Sequence, residues 1–201
     1  MVQLDRQVAA SADDCRAIWD GSNWVFGTDY TQISVGYWGS NSYKQGGGMR
    51  FTNITVPKGS TITSAYLTFT ARASRSATTV NSKIHGEDAD NPGQFSDLAD
   101  YEGRTRTTAV VNWDDIAAWT LDSEYNSPDI SSIIQEIIDR AGWASGNAMV
   151  IFWDDHDDRS THSAERVRAG YAYDESATKC AKLHIEYTPP GGARSFGYII
   201  G

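Results

Sequence analysis

The chain has few basic residues, few cysteines and no long apolar run. Its 17 Lys and Arg residues are outnumbered by 26 Asp and Glu residues, which gives a formal net charge of −9. That charge repels phosphate groups, so it argues against nucleic acid and against an anionic membrane as partners. No stretch reaches the roughly 18–20 apolar residues that are needed to span a bilayer. Residues 1–7 lack the apolar core of a secretory signal, and we expect synthesis without export.

The two cysteines, Cys15 and Cys180, lie near opposite ends of the chain. Two interpretations stay open for them. Reduced, buried thiols are expected in a cytosolic protein, whereas a disulfide bond between the first and last strands is expected in an oxidising medium. Two cysteines without histidines at ligand spacing argue against a metal site.

Alternation of apolar and polar residues predicts that most of the chain forms β-strands. In the clearest run, 62–72, Ala65 and Leu67 lie on one face and Tyr66 and Thr68 on the other. Shorter runs of the same kind lie at 31–37, 80–84, 109–113, 167–171 and 183–187.

Glycine and proline clusters separate the alternating runs, and one further run is apolar without alternation. Residues 148–153 are apolar throughout, which predicts a central strand buried on both faces. Glycine and proline clusters at 46–48, 57–59 and 91–93 punctuate the pattern. Eight or nine short strands predict an all-β fold, a two-sheet antiparallel β-sandwich of the jelly-roll type over residues 1–188.

Residues 128–141 predict one amphipathic helix. Ser127 is expected to cap it, Pro128 to begin it and Gly142 to end it. At about 1.5–3 kcal/mol per buried side chain, its isoleucines should anchor it to a sheet, with the polar residues on the opposite side. The isoleucines with helical spacing are Ile130, Ile133, Ile134, Ile137 and Ile138.

The composition changes after residue 188. The Pro-Pro-Gly-Gly run at 189–192 predicts a linker before a short C-terminal tail, so that residues 189–201 stand apart from the sandwich. We expect the apolar tip of the tail to dock, either on its own sandwich or on a neighbouring subunit by strand addition. The expected partners are therefore other protein subunits, in a homo-oligomer or a lattice. The tip consists of Phe196, Tyr198, Ile199 and Ile200.

An acidic loop follows the apolar strand and is a candidate calcium site. Its carboxylates are those of Asp154, Asp155, Asp157 and Asp158. Oxygen ligands of this kind suit Ca²⁺, but His156 and Arg159 stand where an EF-hand needs a ligand and a glycine. A looser structural calcium site and a solvated acidic loop both remain open, and no other cofactor is expected.

Three tryptophans in the glycine- and serine-rich first quarter are candidates for stacking against sugars. Trp19, Trp24 and Trp38 lie outside the regular alternation. Exposed rings on loops serve as stacking platforms in sugar-binding sandwiches, which makes glycans a second class of partner. The same rings would equally well close the ends of a sandwich or lie in a subunit interface.

The segment 56–67, Val-Pro-Lys-Gly-Ser-Thr-Ile-Thr-Ser-Ala-Tyr-Leu, resembles a strand of DNRLRE-type jelly-roll domains, which are similar to carbohydrate-binding modules. Residues 111–113, the helix at 130–138 and residues 147–150 match the next elements of that family in order. This resemblance covers roughly residues 10–188. The layout from Gly47 through His85 to Tyr187 is closer still to uncharacterised, phage-like structural proteins from environmental sequences. The resemblance implies a jelly roll and carries no catalytic motif.

These patterns predict a non-enzymatic structural or assembly protein. The expected role is that of a virion component, a capsid decoration or tail-associated protein of a tailed phage, made in the host cytoplasm. A carbohydrate-binding module of a secreted or surface protein is the alternative, and the subunit of an extracellular filament is a third interpretation. No catalytic residue is assigned.

Overall fold

A computed structural model describes residues 1–39, 42–163 and 165–191, with only the backbone of Ser42, and shows strands throughout most of this part. It has two α-helices, α1 (Leu98–Gly103) and α2 (Ser131–Asp139), and a 3-10 turn at Ser11–Asp13. The strands are β1 (Val2–Gln7), β2 (Asp14–Trp19), β3 (Trp24–Gly27), β4 (Gln32–Trp38), β5 (Ser42–Phe51), β6 (Thr61–Thr70), β7 (Ser82–Glu87), β8 (Arg106–Trp113), β9 (Glu124–Asn126), β10 (Met149–Asp154), β11 (Val167–Tyr171) and β12 (Lys182–Thr188).

The strands form two antiparallel sheets, and the predicted sandwich is confirmed. The smaller sheet has the order β1-β12-β6-β9, and the larger has the order β11-β4-β5-β10-β7-β8, with β2 beside β5 and β3 beside β2. Neighbours in the sheets are mostly distant in sequence, so the chain crosses repeatedly between the layers, as in a jelly roll. Among the described residues, neither helix is long and apolar enough to cross a membrane.

Strand β10 is central, as its apolar sequence predicted. It lies between β5 and β7. Ile151 and Trp153 point into the main core between the two sheets. Val150 and Phe152 point to the other side, where they join a second apolar cluster with Phe95. Burial on both faces explains why no polar residue interrupts the strand before its end.

The glycines at 46–48 lie inside β5, and their prediction as a breaker is wrong. A Cβ atom on Gly47 would lie 2.0 Å from the carbonyl oxygen of Cys15, and one on Gly46 would lie 2.2 Å from the Cβ of Asp154. The strand is therefore glycine-rich because neighbouring strands pack too closely for side chains, and not because the chain turns.

The first quarter of the chain is more regular than its composition predicted. It contains β1, β2 and β3, none of which has a clear alternation. The short strand β9 and the six-residue helix α1 were also missed. Asp97 caps α1 by accepting the N–H of Asp100 at 2.9 Å, and this Asp-x-x-Asp spacing was the available sequence signal.

Helix α2 is shorter than the predicted 128–141, because its flanking residues bind a sheet instead. Ser127 Oγ accepts the N–H of Leu67, and Asp129 accepts the N–H of Ala65, so both serve β6 and not the helix. The position before the first helical residue is Ile130, which makes no side-chain cap. Gly142 lacks the expected left-handed φ; its missing Cβ instead leaves room for the carboxylate of Asp90, which lies in the loop between β7 and α1.

The polar side of α2 closes the edges of both sheets. Glu136 accepts the N–H of Thr108 at 2.8 Å and that of Ala109 at 2.7 Å, on the edge strand β8. Gln135 accepts the N–H of Ile62 on β6 at 2.9 Å. Partial burial raises the pKa of Glu136, but these N–H bonds outweigh it and hold the pKa below its usual value. The isoleucines beneath are fully buried, as expected.

A buried arginine ties two loops to β11. Arg168 is 0 % exposed and has no carboxylate partner in the described part of the chain. Its Nε donates to the carbonyl of Ala117 at 2.7 Å, its Nη1 to that of Val167 at 3.0 Å, and its Nη2 to those of Ala77 at 2.8 Å and Ile116 at 2.7 Å. Burial lowers the pKa of Arg168. The cation is thus held by carbonyl dipoles alone.

We expect Arg168→Leu to lower the free energy of unfolding by about 3 kcal/mol or more, because it leaves buried carbonyls without donors. Urea denaturation measures this. The control Lys58→Met removes an exposed lysine that donates to one carbonyl, and should change stability by about 0.5 kcal/mol or less. Equal effects of the two substitutions would contradict the structural role of Arg168.

A buried carboxyl group makes stability depend on pH. Asp14, in β2, is 1 % exposed and accepts the N–H of Tyr173 at 2.8 Å. Burial raises its pKa to about 7; nearby Asp174 and Asp13 push in the same direction, and the Tyr173 N–H opposes them. The folded protein therefore holds this proton between about pH 4 and 7, where the unfolded chain loses it. This group makes the protein less stable as the pH rises through that window.

We expect Asp14→Asn to stabilise the protein at pH 8, on the order of 2–4 kcal/mol, and to have little effect at pH 4. The amide is neutral at both pH values, and its oxygen still accepts the Tyr173 N–H. Denaturant unfolding at the two pH values measures the difference. Glu124→Gln, at an exposed carboxylate, is the control and should show no such pH dependence. A constant gain at both pH values would show that Asp14 does not hold the proton.

Candidate functional site

In this structure, the carboxylates of the acidic loop after β10 point to separate partners, and the prediction of a calcium site stays a prediction. Asp154 is buried and accepts the N–H of His156 at 3.2 Å. Asp155 accepts the N–H of Arg159 at 2.8 Å and that of Ser160 at 3.1 Å.

The other carboxylates of this region also have separate partners. Asp157 pairs with Lys83, and Asp158 pairs with His162. Glu87 pairs with Arg104, and Asp88 and Asp90 pair with Arg140. In the described ranges, no three His, Cys, Asp or Glu side chains converge in a way that would hold a metal ion. Cation binding needs oxygens pointing at one centre, and here they point at different donors.

We expect calcium to leave the melting temperature unchanged, within about 1 °C, relative to the same protein in a chelator. The measurement is thermal unfolding in excess CaCl₂ or EDTA, with MgCl₂ as the control for ionic effects. A rise that is specific to calcium would show that the loop rearranges to bind it.

The two cysteines are free, so the alternative of a disulfide bond is wrong for this structure. Cys15 belongs to the apolar cluster outside the larger sheet, whereas Cys180 belongs to the main core between the sheets. Burial raises the pKa of both thiols, that of Cys180 to about 11. Both therefore remain protonated and unreactive at neutral pH.

The structure brings two of the three candidate tryptophans together. Trp19 on β2 and Trp24 on β3 are paired residues of one hairpin, with ring centroids 5.8 Å apart. Trp38 ends β4 and is 45 % exposed; the Arg75 guanidinium lies 4.7 Å from its ring centroid, and with Glu165 they line a separate cavity of about 220 Å³.

Trp24 borders a cavity of about 150 Å³ on the outer side of the larger sheet, which we call the outer cavity. Four elements contribute to it: the hairpin strand β3, helix α1, the first residue of β8 and the loop after β10. Its lining residues are Trp24, Leu98, Tyr101, Glu102, Arg106 and His156.

Aromatic rings form one wall of the outer cavity. The His156 ring lies 4.8 Å from Trp24 and 6.0 Å from Tyr101, edge to face in both cases. His156 Nε2 lies 3.1 Å from the carbonyl of Ala17, a hydrogen bond that fixes the ring. Leu98 adds an aliphatic surface.

A cation also lines the outer cavity. The Arg106 guanidinium carbon lies 3.3 Å from the centroid of the Phe152 ring and 4.9 Å from that of Tyr101. Arg106 Nη1 donates to the carbonyl of Arg104 at 2.7 Å. No carboxylate of the described chain forms an ion pair with Arg106, although Glu102 lies on the rim of the same cavity.

Two buried polar groups lie near Arg106. The hydroxyl of Tyr101 is buried; burial, together with the charge of Asp154, raises its pKa, and a hydrogen bond with Arg106 opposes this shift. His85 is paired across strands with Phe152. Burial lowers the pKa of His85; Asp154 opposes this shift, and Arg106 adds to it.

Tyr101 and Arg106 were not predicted as site residues. Neither belongs to a recognisable motif, and they meet only because α1 folds over the sheet that β8 joins. The assembly tail, Phe196, Tyr198, Ile199 and Ile200, lies outside the described residues.

No protein-family model matches the chain, and no curated protein matches it either. The outer cavity combines ring faces, one unpaired cation and one carboxylate, an arrangement suited to binding a small polar ligand.

Proposed function

We propose that the chain is a non-enzymatic structural protein that assembles with other subunits. The assembly we propose is a virion, in which the chain would be a capsid decoration or tail-associated protein of a tailed phage. An extracellular filament would use the same contacts. The observation that carries the proposal is the uncovered edge of β1.

Strand β1 lies at the end of the smaller sheet and pairs only with β12 among the described strands. Its first residues are exposed: Met1 is 80 % and Val2 is 40 % exposed. The edge strand β8 of the other sheet differs, since Glu136 binds two of its N–H groups. A free edge offers main-chain donors and acceptors to a strand from another chain.

The rest of the sandwich supports a mechanical role. The larger sheet is packed on both faces, which gives a stiff body that holds its outer surface in a fixed orientation. In the proposed mechanism, Phe196, Tyr198, Ile199 and Ile200 add to the β1 edge of a neighbouring copy. Such a head-to-tail contact is heterologous and builds rings or filaments, in which many weak contacts act together.

We expect the complete chain to self-associate with increasing concentration, and a chain ending at Gly191 to remain monomeric. Val2→Lys should weaken the association of the complete chain by about tenfold or more, since a charged edge strand resists strand addition. Sedimentation velocity over a concentration series measures the association of the complete chain, the truncated chain and the Val2→Lys variant.

Val110→Lys is the matched control, because Val110 is a similarly exposed valine, at 45 %, on the covered edge strand β8. It should associate like the parent chain. A complete chain that is monomeric at every concentration, or a truncated chain that associates equally well, would overturn the proposal.

Carbohydrate binding is the second candidate, and the outer cavity favours it. Trp24 and His156 present ring faces, and Arg106 and Glu102 offer a donor and an acceptor for hydroxyl groups. Sugar sites commonly combine an aromatic platform with a few polar groups. Binding to a glycan array that disappears with Trp24→Ala would support this candidate, whereas an array without signal would argue against it.

A further inference from the structure

We infer that the outer cavity is a binding site for a carboxylate-bearing sugar unit, a uronate, with Arg106 as the group that holds the carboxylate. The inference deepens the carbohydrate-binding candidate and rests on it. It is independent of the proposed assembly through β1 and the tail.

The first argument is the contrast between two neighbouring arginines. Arg104 is saturated: it pairs with Glu87 at 2.8 Å and with Asp100 at 2.9 Å. Arg106, two residues further along the chain, lines the cavity and has no ion pair with any described carboxylate. In a chain with a net charge of −9, an unpaired guanidinium at a cavity wall is a preformed receptor for an anion.

The second argument is that the guanidinium is already held in place. Its carbon lies over the Phe152 ring, 3.3 Å from the centroid, and Nη1 donates to the carbonyl of Arg104 at 2.7 Å. Nη1 and Nη2 lie 3.3 and 3.4 Å from the carbonyl oxygen of Tyr101. Among the described residues, no carboxylate accepts a hydrogen bond from the group. A planar fork that is fixed on one side suits a carboxylate on the other.

The third argument concerns the rest of the ligand. The cavity of about 150 Å³ is smaller than the ~300–1,000 Å³ typical of sites for drug-sized ligands, so it accepts one ring and not an extended chain. Trp24 and Leu98 offer apolar surface to the C–H face of a pyranose. The exposed carboxylate of Glu102 accepts hydrogen bonds from ring hydroxyls, while its charge opposes that of the ligand.

The test measures binding of sodium galacturonate and sodium glucuronate to the complete chain by ligand-observed NMR titration. Galactose and glucose are the neutral counterparts, and acetate supplies a carboxylate without a ring. We expect each uronate to bind about tenfold or more tightly than its neutral counterpart and than acetate, as a charge-assisted bidentate contact adds to the ring contact.

Two variants and a control assign the effect. Arg106→Gln should weaken uronate binding by about tenfold or more, and neutral-sugar binding by only about two- to threefold, because the neutral sugars lose a hydrogen-bond donor but no charge-assisted contact. Glu102→Gln, at an exposed side chain, should tighten uronate binding about two- to threefold by removing a like charge. Arg75→Gln is the matched control, because Arg75 also stacks on a tryptophan but lies at the separate cavity. Arg75→Gln should leave the affinities for uronates and for neutral sugars unchanged.

Thermal unfolding of each variant shows whether it folds. If Arg106→Gln does not fold, the inference is tested by the effect of Glu102→Gln and by the ratio of uronate affinity to neutral-sugar affinity in the parent chain. Equal binding of uronates and neutral sugars would overturn the inference and leave the carbohydrate candidate standing. Equal binding of acetate would overturn the sugar ring as the ligand. Absence of binding by every probe would overturn both the inference and sugar binding in this cavity.

Discussion

The sandwich depends on the way in which α2 closes its open side. Ile133, Ile134, Ile137 and Ile138 fill the space between the sheets, and the polar flank of the same helix binds main-chain N–H groups on both β6 and β8. Burial alone would leave two edges with unused donors. One helix thus supplies apolar contact and edge closure together, and this combination fixes how the sheets sit on each other.

The outer cavity is a consequence of the second apolar layer. Because β10 is apolar on both faces, its outer face must be covered, and α1 and β3 supply Tyr101 and Phe26 for that purpose. The cover is incomplete where it reaches β8, and there the guanidinium of Arg106 lies between aromatic rings and solvent. The outer cavity therefore lies at the border of a packing layer, where apolar and charged groups meet.

Alternation predicted the sandwich well because strands such as β6, β7, β8 and β12 alternate between buried and more exposed residues. It missed β1, β2 and β3, where buried and exposed residues do not alternate cleanly. The glycines at 46–48 were predicted to break the strand, because glycine makes the backbone flexible. Gly47 instead lies inside β5, where Cys15 of the neighbouring strand β2 is too close for a side chain. The ends of α2 were misplaced because Ser127 and Asp129 bind β6 and not the helix.

By itself, the sequence determined the fold class, the central strand and the amphipathic helix, since these follow from local periodicity. Only the tertiary structure decided which groups meet. It separated the four carboxylates of the acidic loop among different donors, kept Cys15 and Cys180 in different clusters, and brought Trp24, Tyr101 and Arg106 together. Such meetings depend on the order of strands in a sheet, and a pattern along one strand carries no information about its neighbours.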